Sequence, residues 1–236
     1  MIKVVSFTIC PFVQRVTAAL EARSLPYDIE YISLSNPPEW FLAVSPNAQV
    51  PLLITDNDTV LFESDAIVEY LDDAYGPIVE GITPEQRAID RAWSYQASKH
   101  YLVQCGAMRS PTAEALTSRT EDLQQAFSRA EKQLGKGRYF NGDTLGNVDI
   151  AWLPLLHRAK IVEQHAGYDF VRAYPKVKAW QTAMLATGLA ERSVSYDFNE
   201  AFAAFYLSEK TYLGRGENCA KPVGIGNGGT ASSCCD

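Results

Sequence analysis

The chain lacks a second cysteine near the first. Cys10 stands in Thr8-Ile9-Cys10-Pro11-Phe12-Val13, so no C-x-x-C pair exists there and a dithiol redox motif is excluded. The cysteines, Cys10, Cys105, Cys219, Cys234 and Cys235, are odd in number and scattered, unlike a secreted disulfide framework. Histidine is scarce: His100, His157 and His165 lie apart, no Cys/His cluster has ligand spacing, and no metal is expected. The three read as packing or surface residues. Basic charge is also short. A formal charge of −7 argues against a nucleic-acid partner, which would need clustered Lys and Arg. No apolar run approaches the roughly 20 residues that span a bilayer, so no membrane partner is expected. The opening Met1-Ile2-Lys3-Val4-Val5 reads as a strand rather than a leader, and a cytoplasmic location is expected. Cys234-Cys235 do not fit a prenylation ending and are expected to be free thiols.

What is present begins at Cys10. It follows a short apolar strand and precedes a helical pattern opened by Pro11, a residue suited to a first helical position. A thiol at a helix start faces the positive end of the dipole, which favours the nucleophilic thiolate. Residues 2–7 read as a strand, and 11–23 as a helix with Phe12, Val16, Ala19 and Leu20 on one face. Tyr27-Asp28-Ile29-Glu30-Tyr31-Ile32 alternates as a half-buried strand, giving a right-handed βαβ unit. A short helix at Glu39-Trp40-Phe41-Leu42 precedes a hairpin of Leu52-Leu53-Ile54 and Thr59-Val60-Leu61-Phe62, turned at Asp56-Asn57-Asp58. Ser64 caps the next helix, which ends at Gly76-Pro77. The order is βαβαββα.

After Gly76 the strands stop. Thr83-Pro84-Glu85-Gln86 is a capping-box start, and helical patterns cover 84–108, 112–134, 147–165, 175–185 and 197–208. Leu145 and Ile150 form a hydrophobic staple around Gly146 and Asp149, where only half a capping box can form because Gly146 has no hydroxyl. The expected organisation is α/β plus all-α: an α/β domain at 1–76, a linker at 77–83, an all-helical domain at 84–213, and a Gly/Ser-rich tail at 214–236.

These residues resemble the cytosolic glutathione transferases, which join a thioredoxin-like domain to a helical one. Cys10-Pro11-Phe12 is similar to the omega class and related dehydroascorbate reductases. Asn36-Pro37-Pro38-Glu39-Trp40-Phe41, Val50-Pro51, Phe62-Glu63-Ser64-Asp65-Ala66-Ile67 and Glu69-Tyr70-Leu71-Asp72 match that pattern in order and spacing. Asp149 and the segment from Tyr174-Pro175-Lys176 to Trp180 carry the resemblance into the helical part.

The resemblance implies glutathione as co-substrate and Cys10 as the catalytic residue. It implies that Phe12, Val50, Pro51, Glu63 and Ser64 bind the tripeptide. Val50 would pair its backbone with the cysteinyl part beside a cis Pro51, and Glu63 and Ser64 would hold the γ-glutamyl end. Trp180, with Tyr101 and Met108, is expected near a small second substrate, which can be aromatic. A homodimer is implied as well. Omega enzymes carry a lysine where this chain has Pro37, so the contact to the glycine end of glutathione comes from elsewhere or is missing.

The expected function is a glutathione-dependent thiol transferase or reductase, including dehydroascorbate-type reduction, acting through a monothiol Cys10 mixed disulfide. Two alternatives share the fold: a glutathione lyase for aromatic α-thioether ketones from lignin fragments, and a non-catalytic binding or scaffold protein.

Overall fold

A computed structural model describes residues 1–216. Cys219, Cys234, Cys235 and most of the expected tail lie outside the described residues. The α/β part contains β1 (Ile2–Ser6), α1 (Pro11–Ala22), β2 (Tyr27–Tyr31), α2 (Glu39–Val44), β3 (Leu52–Ile54), β4 (Val60–Phe62) and α3 (Ser64–Tyr75). The helical part contains α4 (Pro84–Met108), α5 (Ala113–Gln133), α6 (Asn147–Ala166), α7 (Pro175–Leu185), α8 (Leu189–Arg192) and α9 (Phe198–Tyr206). The short α8 has no counterpart in the sequence reading; four residues are too few to display a helical period.

The sheet order is β2-β1-β3-β4, with β1 parallel to β2 and antiparallel to β3, and β3 antiparallel to β4. This is the expected thioredoxin-like βαβαββα arrangement followed by helices. Register decides what the fold gathers. Val5 pairs Leu52, and Leu52 pairs Phe62, on one line across the sheet. Just past that line lie the loop from Ser6 to Cys10, the Val50-Pro51 step, and the Glu63-Ser64 junction. Three segments remote in sequence therefore emerge at one sheet end.

Helix α1 departs from the expected one-sided pattern. Val13, Gln14, Arg15, Val16, Thr17, Ala18, Ala19 and Leu20 are all buried, because α1 is enclosed by the sheet, α3, α6 and α8. The polar members are paired. Arg15 meets Asp65, and Thr17 donates from its hydroxyl to the Ser193 carbonyl at 2.6 Å. Arg23 meets Asp72, whose other oxygen accepts from Asn147 Nδ2 at 2.7 Å. That last contact ties α3 to the helical part.

Thr83 accepts from the Gln86 N–H at 3.2 Å as expected, but the Gln86 side chain turns to Asp90 instead of closing a box. At the other cap, the Gly146 N–H donates to Asp149 Oδ2 at 2.8 Å. Asp149 also receives the Phe140 N–H at 2.8 Å and Trp180 Nε1–H at 2.7 Å on Oδ1. The carboxylate is thus a hub joining the α5–α6 connection, the start of α6 and α7.

Replacing Asp149 with Ala strands three donors, two of them buried. Urea unfolding should show a loss of about 2–4 kcal/mol, while Asp149→Asn, which keeps one acceptor oxygen, should lose less.

Candidate active site

The turn between β1 and α1 is closed by the Cys10 N–H donating to the Phe7 carbonyl at 3.0 Å, and α1 begins with the Gln14 N–H donating to the Cys10 carbonyl at 3.1 Å. Cys10 is the cap residue, in extended conformation, with Pro11 at the first helical position. Its side chain is half-buried.

Burial pushes the Cys10 thiol above its ordinary pKa. The N–H groups of Val13 and Phe12 and the Arg158 charge pull it down, and Cys105 adds to the rise. The expected helix-start effect is present, yet the apolar surroundings outweigh it. The sequence reading missed this because the packing comes from elements far along the chain.

The Val50–Pro51 peptide is cis. Among the described residues nothing hydrogen-bonds the Val50 N–H or carbonyl, so a short backbone edge stays open beside the sheet. Ser64 is the first residue of α3, and Glu63 is the cap, a shift of one residue from the expected Ser64 cap. Glu63 adopts φ 67°, ψ 116°, a conformation that side chains rarely take and that the surrounding structure must hold. The Glu63 carboxylate is exposed at this corner. No side chain caps α3, and no described residue hydrogen-bonds the Ser64 hydroxyl. The first turn therefore presents unpaired N–H groups and a hydroxyl, a suitable receptor for a carboxylate.

Phe12 packs edge-on against Tyr101, with ring centroids 5.1 Å apart. Tyr101 itself is sealed in the core, and its hydroxyl donates to the Ala151 carbonyl. Met108 is also fully buried. Trp180 packs against Phe140 and Trp152 at 5.5 and 5.6 Å, with its N–H held by Asp149. Tyr101, Met108 and Trp180, expected near the second substrate, are all buried, and of the three Tyr101 packs on Phe12. Aromatic residues at helical spacing report burial, and the sequence does not distinguish a core wall from a groove wall.

Pro37 lies in the loop after β2, which leaves the sheet at the same end as Cys10 because β2 runs parallel to β1. No lysine or arginine occurs anywhere between Arg23 and Arg87. The α/β part therefore offers no side-chain cation to this corner from its own central segment. His157 is buried, stacked on Phe198 at 5.4 Å, and burial holds its pKa down at about 3. It is a neutral packing residue, as expected. Among the described residues no group of His, Cys, Asp and Glu could hold a metal ion. No helix among them is long and apolar enough to cross a membrane.

Residues 9–74 match the family model described as glutathione S-transferase, N-terminal domain, and residues 113–181 the one described as glutathione S-transferase, C-terminal domain. Glutathione S-transferase omega-1 of Sus scrofa is 30% identical over 188 residues, covering 78% of this chain and 77% of that protein. Among solved structures, glutathione transferase Omega 3C from Trametes versicolor superposes with a TM-score of 0.70 at 23% identity, covering 82% of this chain and 89% of that one. A rice glutathione transferase solved in complex with glutathione gives 0.73 at 22% identity, covering 87% and 98%.

Alkylation of Cys10 by iodoacetamide, followed by peptide mass, should accelerate from neutral pH through about pH 9, because only the thiolate reacts. A rate already at its plateau below about pH 7 would contradict the outweighed helix-start effect.

Proposed function

This chain belongs to the glutathione S-transferase superfamily, on its omega-like side, and from that premise we propose that it is a glutathione-dependent thiol transferase acting through Cys10. The observation that carries the proposal is the meeting, at one sheet end, of a half-buried monothiol, an open Val50 backbone edge and an uncapped α3 start. Glutathione is the co-substrate, and each of its parts has a chemical match at this corner. The Ser64 hydroxyl and the N–H groups of the first turn receive the γ-glutamyl carboxylate, and Glu63 meets the ammonium. Val50 pairs its N–H and C=O with the cysteinyl amide, as a strand would. Phe12 and Pro51 supply apolar walls beside the sulfur.

The chemistry needs one cysteine. Cys10 thiolate attacks the glutathione sulfur of a mixed disulfide; the S–S bond breaks, and the other thiol leaves as its thiolate. Cys10 is then joined to glutathione. A second glutathione thiolate attacks the glutathione sulfur of that adduct, oxidised glutathione departs, and Cys10 thiolate returns. The external thiol does the work that a C-x-x-C partner does elsewhere. Tyr95 and Leu102, exposed apolar residues two turns apart on one face of α4, are consistent with a homodimer.

Incubation with oxidised glutathione should add one glutathione to Cys10, located by peptide mass. Cys10→Ala should lose disulfide reduction by at least about a hundredfold, because the covalent route is gone. Undiminished turnover in that variant would refute the proposal, and glutathione binding without turnover in the wild type would favour the scaffold reading instead.

A second test follows from the missing cation. Pro37→Lys should lower the KM for glutathione by about two- to fivefold, the strength of a solvent-exposed ion pair, with kcat little changed. An unaltered KM would mean that the glycine carboxylate is already satisfied by other groups.

A further inference from the structure

Helix α6 carries a charge into the core between the two parts of the chain. Arg158 is 1% exposed. Its Nη2 donates to the Ile9 carbonyl at 3.1 Å, and its Nη1 donates to the Pro154 carbonyl at 3.2 Å and to Gln14 Oε1. The guanidinium carbon sits 5.4 Å from the Phe198 ring centre, and Nε has no hydrogen-bond partner. Every one of these acceptors is neutral. None of the ion pairs among the described residues includes Arg158. A cation sealed in a neutral shell is costly, by several kcal/mol after relaxation, and proteins normally supply a counter-charge.

The groups that could supply one can be named from each packed element. Cys105 on α4, Tyr206 on α9, Cys10 at the start of α1 and Tyr101 on α4 are the groups whose charge would act on the guanidinium, and the Ile9 carbonyl that it binds immediately precedes Cys10. His157, its neighbour on α6, is neutral and turned to Gln14 at 2.9 Å. Burial raises both phenols further above their ordinary range, so neither supplies an anion at neutral pH. Cys105 is buried on α4 beside the Tyr206 hydroxyl. Cys10 alone of these is not fully buried, and it lies at the sheet end, where its proton can pass to water.

We infer that Arg158 is the buried counter-charge of the Cys10 thiolate, a positioning residue that also fixes the turn through the Ile9 carbonyl. The inference rests on the Cys10 reading above and adds to it a residue from a distant helix. In the resting thiol the cation is unbalanced. Loss of the Cys10 proton balances it, with no movement of Arg158 required.

The test measures iodoacetamide alkylation against pH in wild type, Arg158→Gln and Arg158→Lys, with the label assigned to Cys10 or Cys105 by peptide mass. Circular dichroism melting checks that each variant is folded, and Arg158→Met replaces the glutamine variant if that one is not. The neutral variant should alkylate at least about tenfold more slowly at neutral pH, the equivalent of one unit in the thiol midpoint. At the alkaline limit it should come within about threefold of wild type, because a fully formed thiolate no longer needs the charge. The lysine variant should recover most of the lost rate.

A neutral variant whose pH profile overlays wild type would overturn the inference while leaving the Cys10 reading intact. A lysine variant as slow as the neutral one would also overturn it, because hydrogen bonding rather than charge would then be responsible. Label absent from Cys10 in the wild type would overturn the Cys10 reading and this inference with it.

Discussion

A guanidinium enclosed between two layers must be satisfied by its neighbours, and around Arg158 those neighbours include the turn that carries Cys10. The hydrogen bond to the Ile9 carbonyl spans 149 residues of sequence, and the one to Gln14 spans 144. These contacts join α6 to the first turn of α1 before any ligand is present. Gln14 extends the link, since its amide nitrogen reaches His157 at 2.9 Å and Ser193 Oγ at 3.4 Å. Thr17 completes it on the next turn through the Ser193 carbonyl. The reactive turn is therefore held by the helical part of the chain as well as by its own sheet. Loss of the α1–α6 interface would be felt at the sulfur, because Arg158 holds the Ile9 carbonyl next to Cys10.

The second constraint is register. Because Val5, Leu52 and Phe62 share one line, a slip of one residue in β3 or β4 would turn every side chain to the opposite face. Leu52 and Leu53 are both fully buried, on opposite faces, so a slip would still keep apolar groups inside. What fixes the position is the chain on either side: the Val50–Pro51 step before β3 and the Asp58 turn before β4. Asp58 takes φ 59°, and its N–H donates to the Thr55 carbonyl at 3.0 Å, closing the hairpin. The geometry of the corner is thus set at its far end as well as at the site itself.

Local signals were readable in the sequence, and long-range ones were not. Cys10-Pro11 announced a helix start, the alternation at Tyr27–Tyr31 announced a strand, and Thr83-Pro84 announced α4, because each rests on residues within one turn. The role of Asp149 was half legible: its spacing to Gly146 was visible, but its bonds to Phe140 and Trp180 come from other elements. Trp180, Tyr101 and Met108 are all buried, and an apolar side chain on a helix declares only that it is covered. Arg158 was missed altogether. A signal existed in the charged residue set among Leu155, Leu156, Ile161 and Val162, where a helix face is otherwise apolar, but nothing local says which distant turn that charge will meet.

Burial and charge act on the Cys10 sulfur in opposite directions, and the catalytic cycle shows why both matter. Raising a thiol's pKa by one unit removes about tenfold of its thiolate at neutral pH and returns about threefold in intrinsic nucleophilicity. The first step therefore loses only modestly to burial. The second step loses as well, because Cys10 must then depart as a thiolate, and a leaving thiol with a higher pKa departs more slowly. A fixed cation behind the sulfur lowers both barriers, since the thiolate is the reactant in one step and the product in the other. A ligand-borne cation could not do this as well, because it would arrive and leave with the substrate. A charge anchored on α6, already bonded to the Ile9 carbonyl, is in place through both halves of the cycle. The same burial that makes Arg158 costly in the resting protein screens it less than a surface charge would be, so its field adds to the pull of the Val13 and Phe12 N–H groups on the sulfur.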